Sequence, residues 1–305
     1  MNSVNKIELV HPKYWLIWLA IIFMRLTVIA PQSIRMQLGA GIGAILYTFG
    51  QKRRNIANTN LKLCFPKNNA DWRKTTVKNH FKSLGQAMYE TAMTWWLPDT
   101  KLASMIKVEG MEHLHKALSK DKGIILLSAH FNCLELGVRA LHIKIGKQIA
   151  PVYQKNKNPL LDLIINKGRL NNATHIIERN EVRSIVRTLK QKKIIWYAPD
   201  QAYSDKNSDV VPFFDIPAMS NTATPRLAQL GDAIVIPMFI RQNEDQTGYI
   251  ISIAPEFENY PSKDPVQDTI RFHNTLEHEI KKSPHQYLWV HKRFKESGGR
   301  DDVYK

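Results

Sequence analysis

Gly123-Ile124-Ile125-Leu126-Leu127-Ser128-Ala129-His130-Phe131-Asn132-Cys133-Leu134-Glu135-Leu136-Gly137 is the stretch that decides the fold. Its first five residues form a short apolar run with β-branched Ile124 and Ile125, which reads as a buried strand. After Asn132, Leu134, Val138 and Leu141 recur at helical spacing on one side. His130 therefore stands where a strand runs out and a helix begins, at the C-terminal edge of an α/β sheet, where such folds place their chemistry. On one continuous helix, residues five apart point about 140° away from each other. From the turn before the helix, the His130 imidazole can instead fold back towards the Glu135 carboxylate. A carboxylate there fixes the tautomer and raises the basicity of the ring, as a general base requires. A surface or capping pair is the plainer reading of the same two residues.

Outward from this motif, strand and helix patterns alternate. Residues 148–153, 175–177, 194–197, 233–240 and 249–254 read as strands, and residues 70–96, 111–118, 159–170, 181–190, 220–230 and 266–281 as helices. The alternation predicts an α/β fold with a mostly parallel central sheet flanked by helices. Polar residues 204–209 read as a flexible linker close to a strand end, suited to an active-site loop.

The 305 residues carry 43 Lys and Arg against 27 Asp and Glu, a net charge of +16 that implies an acidic partner: nucleic acid, an anionic membrane, a phosphorylated substrate or an acidic carrier protein. A nucleic-acid binder would interleave its basic residues with stacking aromatics, whereas here the aromatics gather in apolar segments. The two cysteines, Cys64 and Cys133, build neither a zinc site nor a disulfide framework. Cys133 reads as a small buried residue; the alternative is a thioesterase nucleophile.

Residues Tyr14 to Ala30 are apolar apart from Arg25 and end at Pro31. That stretch is borderline for a crossing, which needs about 20 residues. Its aromatic start and missing small-residue cleavage site do not fit a secretory signal. A second apolar stretch, Met36 to Phe49, contains Gly39, Gly41 and Gly43 and precedes Lys52-Arg53-Arg54. Three readings stand: a transmembrane anchor with its basic side cytoplasmic, helices lying in the bilayer interface, or a buried hydrophobic hairpin. Residues 1–55 are thus expected to form a hydrophobic membrane-anchoring helical segment, and 56–305 the catalytic domain.

Four blocks in order, His130-x4-Glu135, Gly168-Arg169, Ala198-Pro199-Asp200-Gln201 and Ile234-Val235-Ile236-Pro237, resemble those of the membrane-bound glycerolipid acyltransferase superfamily. Leu61-Lys62-Leu63-Cys64-Phe65-Pro66, Trp196-Tyr197-Ala198-Pro199-Asp200, Val211-Pro212-Phe213-Phe214 and Trp289-Val290-His291-Lys292-Arg293-Phe294 resemble the lipid A biosynthesis acyltransferases within it, over residues 10 to 295. The resemblance implies transfer of a fatty acyl chain from acyl carrier protein to a hydroxyl of a lipid A precursor. It implies further that this happens at the cytoplasmic face of a bacterial inner membrane, in contact with its lipids, without metal or organic cofactor and without nucleic acid. It casts His130 as general base, Glu135 as its orienting partner and Arg169 as a substrate-binding cation. Asp200, in the third block, is a substrate-binding or turn-forming residue. Ala129 replaces the Asn that usually precedes the His, Glu135 replaces the commoner Asp, and the third block lacks Glu-Gly-Thr-Arg. These departures weigh against glycerol phosphate as acceptor. A lysophospholipid or other glycolipid acyltransferase with the same dyad is the nearest alternative, and a non-enzymatic basic membrane-associated protein the next. Lys52-Arg53-Arg54 and His291-Lys292-Arg293 are expected to meet membrane or carrier protein.

Overall fold

A computed structural model describes residues 8–170, 173, 175–295 and 303–304; residues 1–7 of the expected anchor and the remaining residues of the expected catalytic domain lie outside that set. In chain order the elements are α1 (Trp15–Thr27), α2 (Gln32–Phe49), α3 (Gln51–Cys64), α4 (Ala70–Trp96), α5 (Asp99–Ser104), β1 (Ile106–Glu109), α6 (Met111–Leu118) and β2 (Gly123–Leu127). There follow α7 (Leu134–Ile145), β3 (Ile149–Tyr153), α8 (Pro159–Leu170), β4 (Ile177–Glu178), α9 (Val182–Lys190) and β5 (Ile194–Tyr197). The chain continues through β6 (Ser208–Phe213), β7 (Ile216–Asn221), α10 (Thr224–Gly231), β8 (Ala233–Gln242), β9 (Tyr249–Ile253) and α11 (Pro265–Lys282).

Seven strands form one sheet in the order β1-β9-β8-β2-β5-β3-β4, in which only β8 and β9 pair antiparallel. All five residues of β2 are buried. Ile125 and Leu127 join a core with Ile195, Val235 and Leu276. Ile124 and Leu126 join a second core with Leu136, Leu141 and Ile236. Both faces of the sheet are therefore covered, so β2 reads as a continuous apolar run rather than an alternation.

The hairpin β6–β7 stands outside this sheet and turns through Phe214 and Asp215, both at positive φ. Two sequence expectations give way to it. Ser208 and Asp209 begin β6 rather than ending a linker, and Ser220 and Asn221 end β7, so α10 starts only at Thr224. Strand β1 also replaces unassigned sequence.

The N-terminal apolar sequence folds as two helices rather than one span. Pro31 starts α2 with no side-chain cap. The Arg35 guanidinium donates to the freed carbonyls of Val28 (2.7 Å) and Ala30 (2.8 Å), which fixes the break between the helices. Helix α1, at 13 residues, is about 20 Å long against a hydrocarbon core of about 30 Å. Among the described residues no helix is long and apolar enough to cross a membrane, so the transmembrane reading is not supported.

The glycines of α2 have a packing role. Gly39 and Gly43 face Gly85 of α4, and a Cβ on Gly85 would collide with the Gly39 carbonyl and the Gly43 amide. Backbones this close leave no room for a side chain, and the two helices cross in direct contact. Gly41 meets nothing within 4 Å. Gly85→Val is expected to lower stability by at least about 1–3 kcal/mol, the usual cost of overpacking. Gly41→Ala is expected to be neutral or slightly stabilising. Denaturant melts of the two variants test the pair.

Candidate active site

Strand register builds the site. In the parallel pair β2–β5, Leu127 lies opposite Tyr197, and the Ser128 amide donates to the Tyr197 carbonyl at 2.8 Å. The two strands thus end at one level, and the third residue past each end, His130 and Asp200, come together. The His130 backbone N–H donates to Asp200 Oδ2 at 2.9 Å, and ring Nδ1 lies 2.6 Å from Oδ1. Asp200 is 1% exposed. The His130 side chain is 31% exposed and faces a cavity of about 380 Å³ between the ends of β2, β3 and β5.

The carboxylate that orients the ring is therefore Asp200, not Glu135. The motif loop runs non-helical through Cys133, and α7 begins at Leu134, which aims Glu135 in its first turn at α8. There Glu135 holds Arg169 with both oxygens: Arg169 Nε donates to Oε2 at 3.0 Å and Nη2 to Oε1. Arg169 also lies over the Tyr153 ring, 5.7 Å from its centroid. Its position depends on the residue before it, because a Cβ at Gly168 would collide with the Trp95 ring of α4. All four expected site residues thus surround one space. His130, Glu135 and Arg169 line the cavity, and Asp200 lies beneath the His130 ring.

Burial lowers the basicity of His130, but the Asp200 charge and hydrogen bond, with the Glu135 charge, outweigh it and the nearby Arg169, leaving the imidazole above its ordinary 6.5. Burial alone would push the Asp200 carboxyl up. The His130 charge and hydrogen bonds from the His130 ring, its backbone and the Tyr287 hydroxyl override this and hold it at about 2. With Nδ1–H committed to Asp200, Nε2 is the ring nitrogen left to act in the cavity.

Several features escaped the sequence reading. Tyr153, Arg179 and Tyr203 complete the cavity wall, with Arg179 lying over the Tyr203 ring. Four backbone amides of the motif loop and the start of α7 are engaged within the protein: Phe131 N–H donates to Ala129, Asn132 to Gln286, Leu134 to Phe131 and Leu136 to Cys133. Cys133 is buried, its Sγ lies 3.7 Å from the Ile240 carbonyl, and burial pushes its thiol well up, so it is no nucleophile for this cavity. The expected basic rim at His291-Lys292-Arg293 also changes character. Arg293 is 2% exposed and donates to Met219 O and Ser220 Oγ, while His291 Nε2 accepts the Ala202 amide at 3.1 Å. Among the described residues no cluster of three or more His, Cys, Asp or Glu could hold a metal ion.

Residues 3–296 match the family model of the bacterial lipid A biosynthesis acyltransferases. The chain belongs to that family. It is 36% identical over 289 residues to the lipid A biosynthesis palmitoleoyltransferase of Escherichia coli (strain K12), covering 94% of each chain. It is 36% identical to the lipid A biosynthesis lauroyltransferase of the same organism, again over 94% of each. The lipid A biosynthesis myristoyltransferase of that strain is more distant, at 24% over 93% of this chain and 88% of the relative. The protein is thus an acyltransferase of lipid A biosynthesis, with the acid-braced imidazole at the end of its central strands.

The pairing itself can be read in solution. NMR titration is expected to find the His130 ring protonating above 6.5, and Asp200→Asn to lower that midpoint by removing the charge that raises it. A midpoint unmoved by Asp200→Asn would mean that the two side chains do not pair.

Proposed function

We propose that this acyltransferase moves a fatty acyl group from the thioester of acyl carrier protein to a hydroxyl borne by an acyl chain of a lipid A precursor, with His130 as general base. The observation that carries this reading is the His130–Asp200 pair at the cavity lining, which leaves Nε2 as the ring nitrogen not bound to Asp200. Nε2 takes the hydroxyl proton as the oxygen attacks the thioester carbonyl. Asp200 holds the ring in the required tautomer and balances the imidazolium that forms. When the C–S bond breaks, the imidazolium returns its proton to the departing thiolate and the carrier leaves as a thiol. The chain supplies base, acid and orientation from its own side chains, so neither a covalent acyl-enzyme nor a cofactor enters the scheme.

Arg169, fixed in place by Glu135, and Arg179 bring guanidinium donors to the cavity lining, which suits a phosphorylated acceptor. Behind the Glu135–Arg169 pair lies a small cleft of about 20 Å³, lined by Val138, Ile149, Pro151 and Trp196 together with Thr94 and Arg139. His130→Ala is expected to reduce turnover of carrier thioester with lipid A precursor by about 10²–10⁴-fold at unchanged melting temperature. Glu135→Gln, which frees Arg169, is expected to raise the KM for the acceptor. Full activity in His130→Ala ends the mechanism, and turnover of lysophosphatidic acid in preference to the lipid A precursor ends the acceptor assignment.

The same reading puts the protein at the cytoplasmic face of the inner membrane through α1 and α2. Leu16, Ile29 and Phe49 are 77%, 84% and 83% exposed, and Trp15, Leu19, Phe23 and Leu26 extend this apolar surface. Large apolar side chains left exposed in this number mark a lipid or protein contact. Exposed Lys52 and Arg53 follow directly, and each basic residue near an anionic leaflet contributes about 1 kcal/mol. Co-sedimentation with phosphatidylglycerol vesicles is expected to fall when Leu16, Phe23 and Ile29 become Ser, and to weaken with salt in the parent protein. Equal binding by the two proteins would remove this surface from the interface.

A further inference from the structure

A second cavity, a groove of about 410 Å³, opens beside α2 and has no lining residue in common with the His130 cavity. Leu46 of α2, Phe81 and Leu84 of α4, and Leu288 and Val290 of the C-terminal segment line it. Leu46 is exposed, and Leu84, Leu288 and Val290 are half-buried, so this apolar lining is open to solvent. Its size falls within the range of about 300–1,000 Å³ usual for ligand pockets, which are mostly apolar with a few polar groups. Three observations bear on what covers it. Leu46 belongs also to the exposed apolar surface of α2, together with Ile45 and Phe49. Exposed Arg53 lines the groove and donates to the Val290 carbonyl at 3.0 Å, so a tethered cation stands beside the apolar lining. The C-terminal segment that forms one wall also holds the active-site loops: the Leu288 amide donates to the His130 carbonyl at 3.0 Å. His291, another lining residue, accepts the amide of Ala202 from the His130 cavity at 3.1 Å. The groove thus lies between an exposed apolar helix and the segment that braces the His130 loop.

We propose that this groove holds one hydrocarbon chain of the lipid acceptor while the head of the same molecule reaches the His130 cavity. The inference rests on the reading of a lipid A precursor as acceptor and of His130 as its base. An acceptor that lifts its head out of a bilayer towards the cavity exposes apolar chain to water, at a cost proportional to the area uncovered. The groove covers that area, because its apolar lining continues from the helix surface on which the bilayer rests. The donor chain has no such need, since it arrives on a soluble carrier with its thioester in the cavity. Arg53 adds a selection by charge: its guanidinium favours a phosphorylated head over a neutral one. Apolar lining and fixed cation together match one anionic lipid better than a free fatty chain.

The test labels the acceptor in place. Lipid A precursor with a diazirine on one acyl chain is photolysed with the full chain, and the labelled residues are mapped by mass spectrometry. Label is expected within residues 46–53, 81–84 and 288–291. It is expected to fall severalfold when unlabelled precursor competes, and to persist when phosphatidylglycerol does. Label confined to α1 or to the His130 cavity overturns the proposal, as does equal competition by phosphatidylglycerol, which makes the groove a general lipid contact. Leu84→Trp, which fills the groove, is expected to lower kcat/KM for the precursor by about tenfold more than for a short-chain, water-soluble analogue. Equal losses with the two acceptors overturn the proposal; if Leu84→Trp fails to fold, labelling of the parent protein decides. An active His130→Ala enzyme, or a parent protein that does not acylate the precursor, instead overturns the functional reading, so the two failures are told apart.

Discussion

A single carboxylate placed almost out of reach of water organises this protein. Asp200 is 1% exposed, and a buried anion is tolerated only when donors surround it. Its donors are the backbone amide and the ring of His130, so two segments 70 residues apart must be assembled before the charge is stable. The sheet supplies the meeting place. Parallel strands β2 and β5 run in register and release their next residues at one edge. The pairing of the His130 imidazole is thus a product of the same satisfaction rule that governs any buried polar group. Its basicity is inherited from a neighbour that had to be paired anyway.

The Glu135–Arg169 pair is a second, separate arrangement. A free cation beside His130 would disfavour the imidazolium, whereas a paired one keeps its geometry with part of its field cancelled. The sixteen-residue span from Tyr153 to Gly168 carries the chain across to α8, where contact with Trp95 allows only glycine before the arginine. Arg169 accordingly offers hydrogen-bond donors to the cavity with its charge largely balanced by Glu135.

Much of the fold could be read in the sequence because its signals are local. Helices α4, α6 and α8 begin and end where their patterns and flanking Asn69, Pro98 and Pro159 put them. Strand β2 declared itself by an apolar run that both cores then use. Hairpin β6–β7 did not, since Pro212 and Pro217 sit in its strands and its turn uses Phe214 and Asp215 where Gly or Asn would announce it. The site was half legible. His130, Glu135, Arg169 and Asp200 could all be named, but the acid that pairs with the imidazole could not be. Glu135 is near in sequence, whereas Asp200 is 70 residues away and becomes a neighbour only through the register of β2 on β5. The shared offset of three residues past two buried strands was the available signal, and it has meaning only once those strands are known to be adjacent. Hydropathy likewise reports a continuous apolar stretch before Pro31 but not the bend that Arg35 holds there.

The glycine contact between α2 and α4 reaches beyond packing. Helix α4 also carries Ser83, whose hydroxyl accepts the Asn132 side chain at 2.9 Å, and His80, whose ring meets the His285 carbonyl at 3.0 Å. Helix α4 therefore links its glycine contact with α2 to the loop bearing His130 through side chains on the same helix. A change that shifts α2 on α4 would then be felt at the His130 loop through Ser83 and His80 without touching the cavity itself.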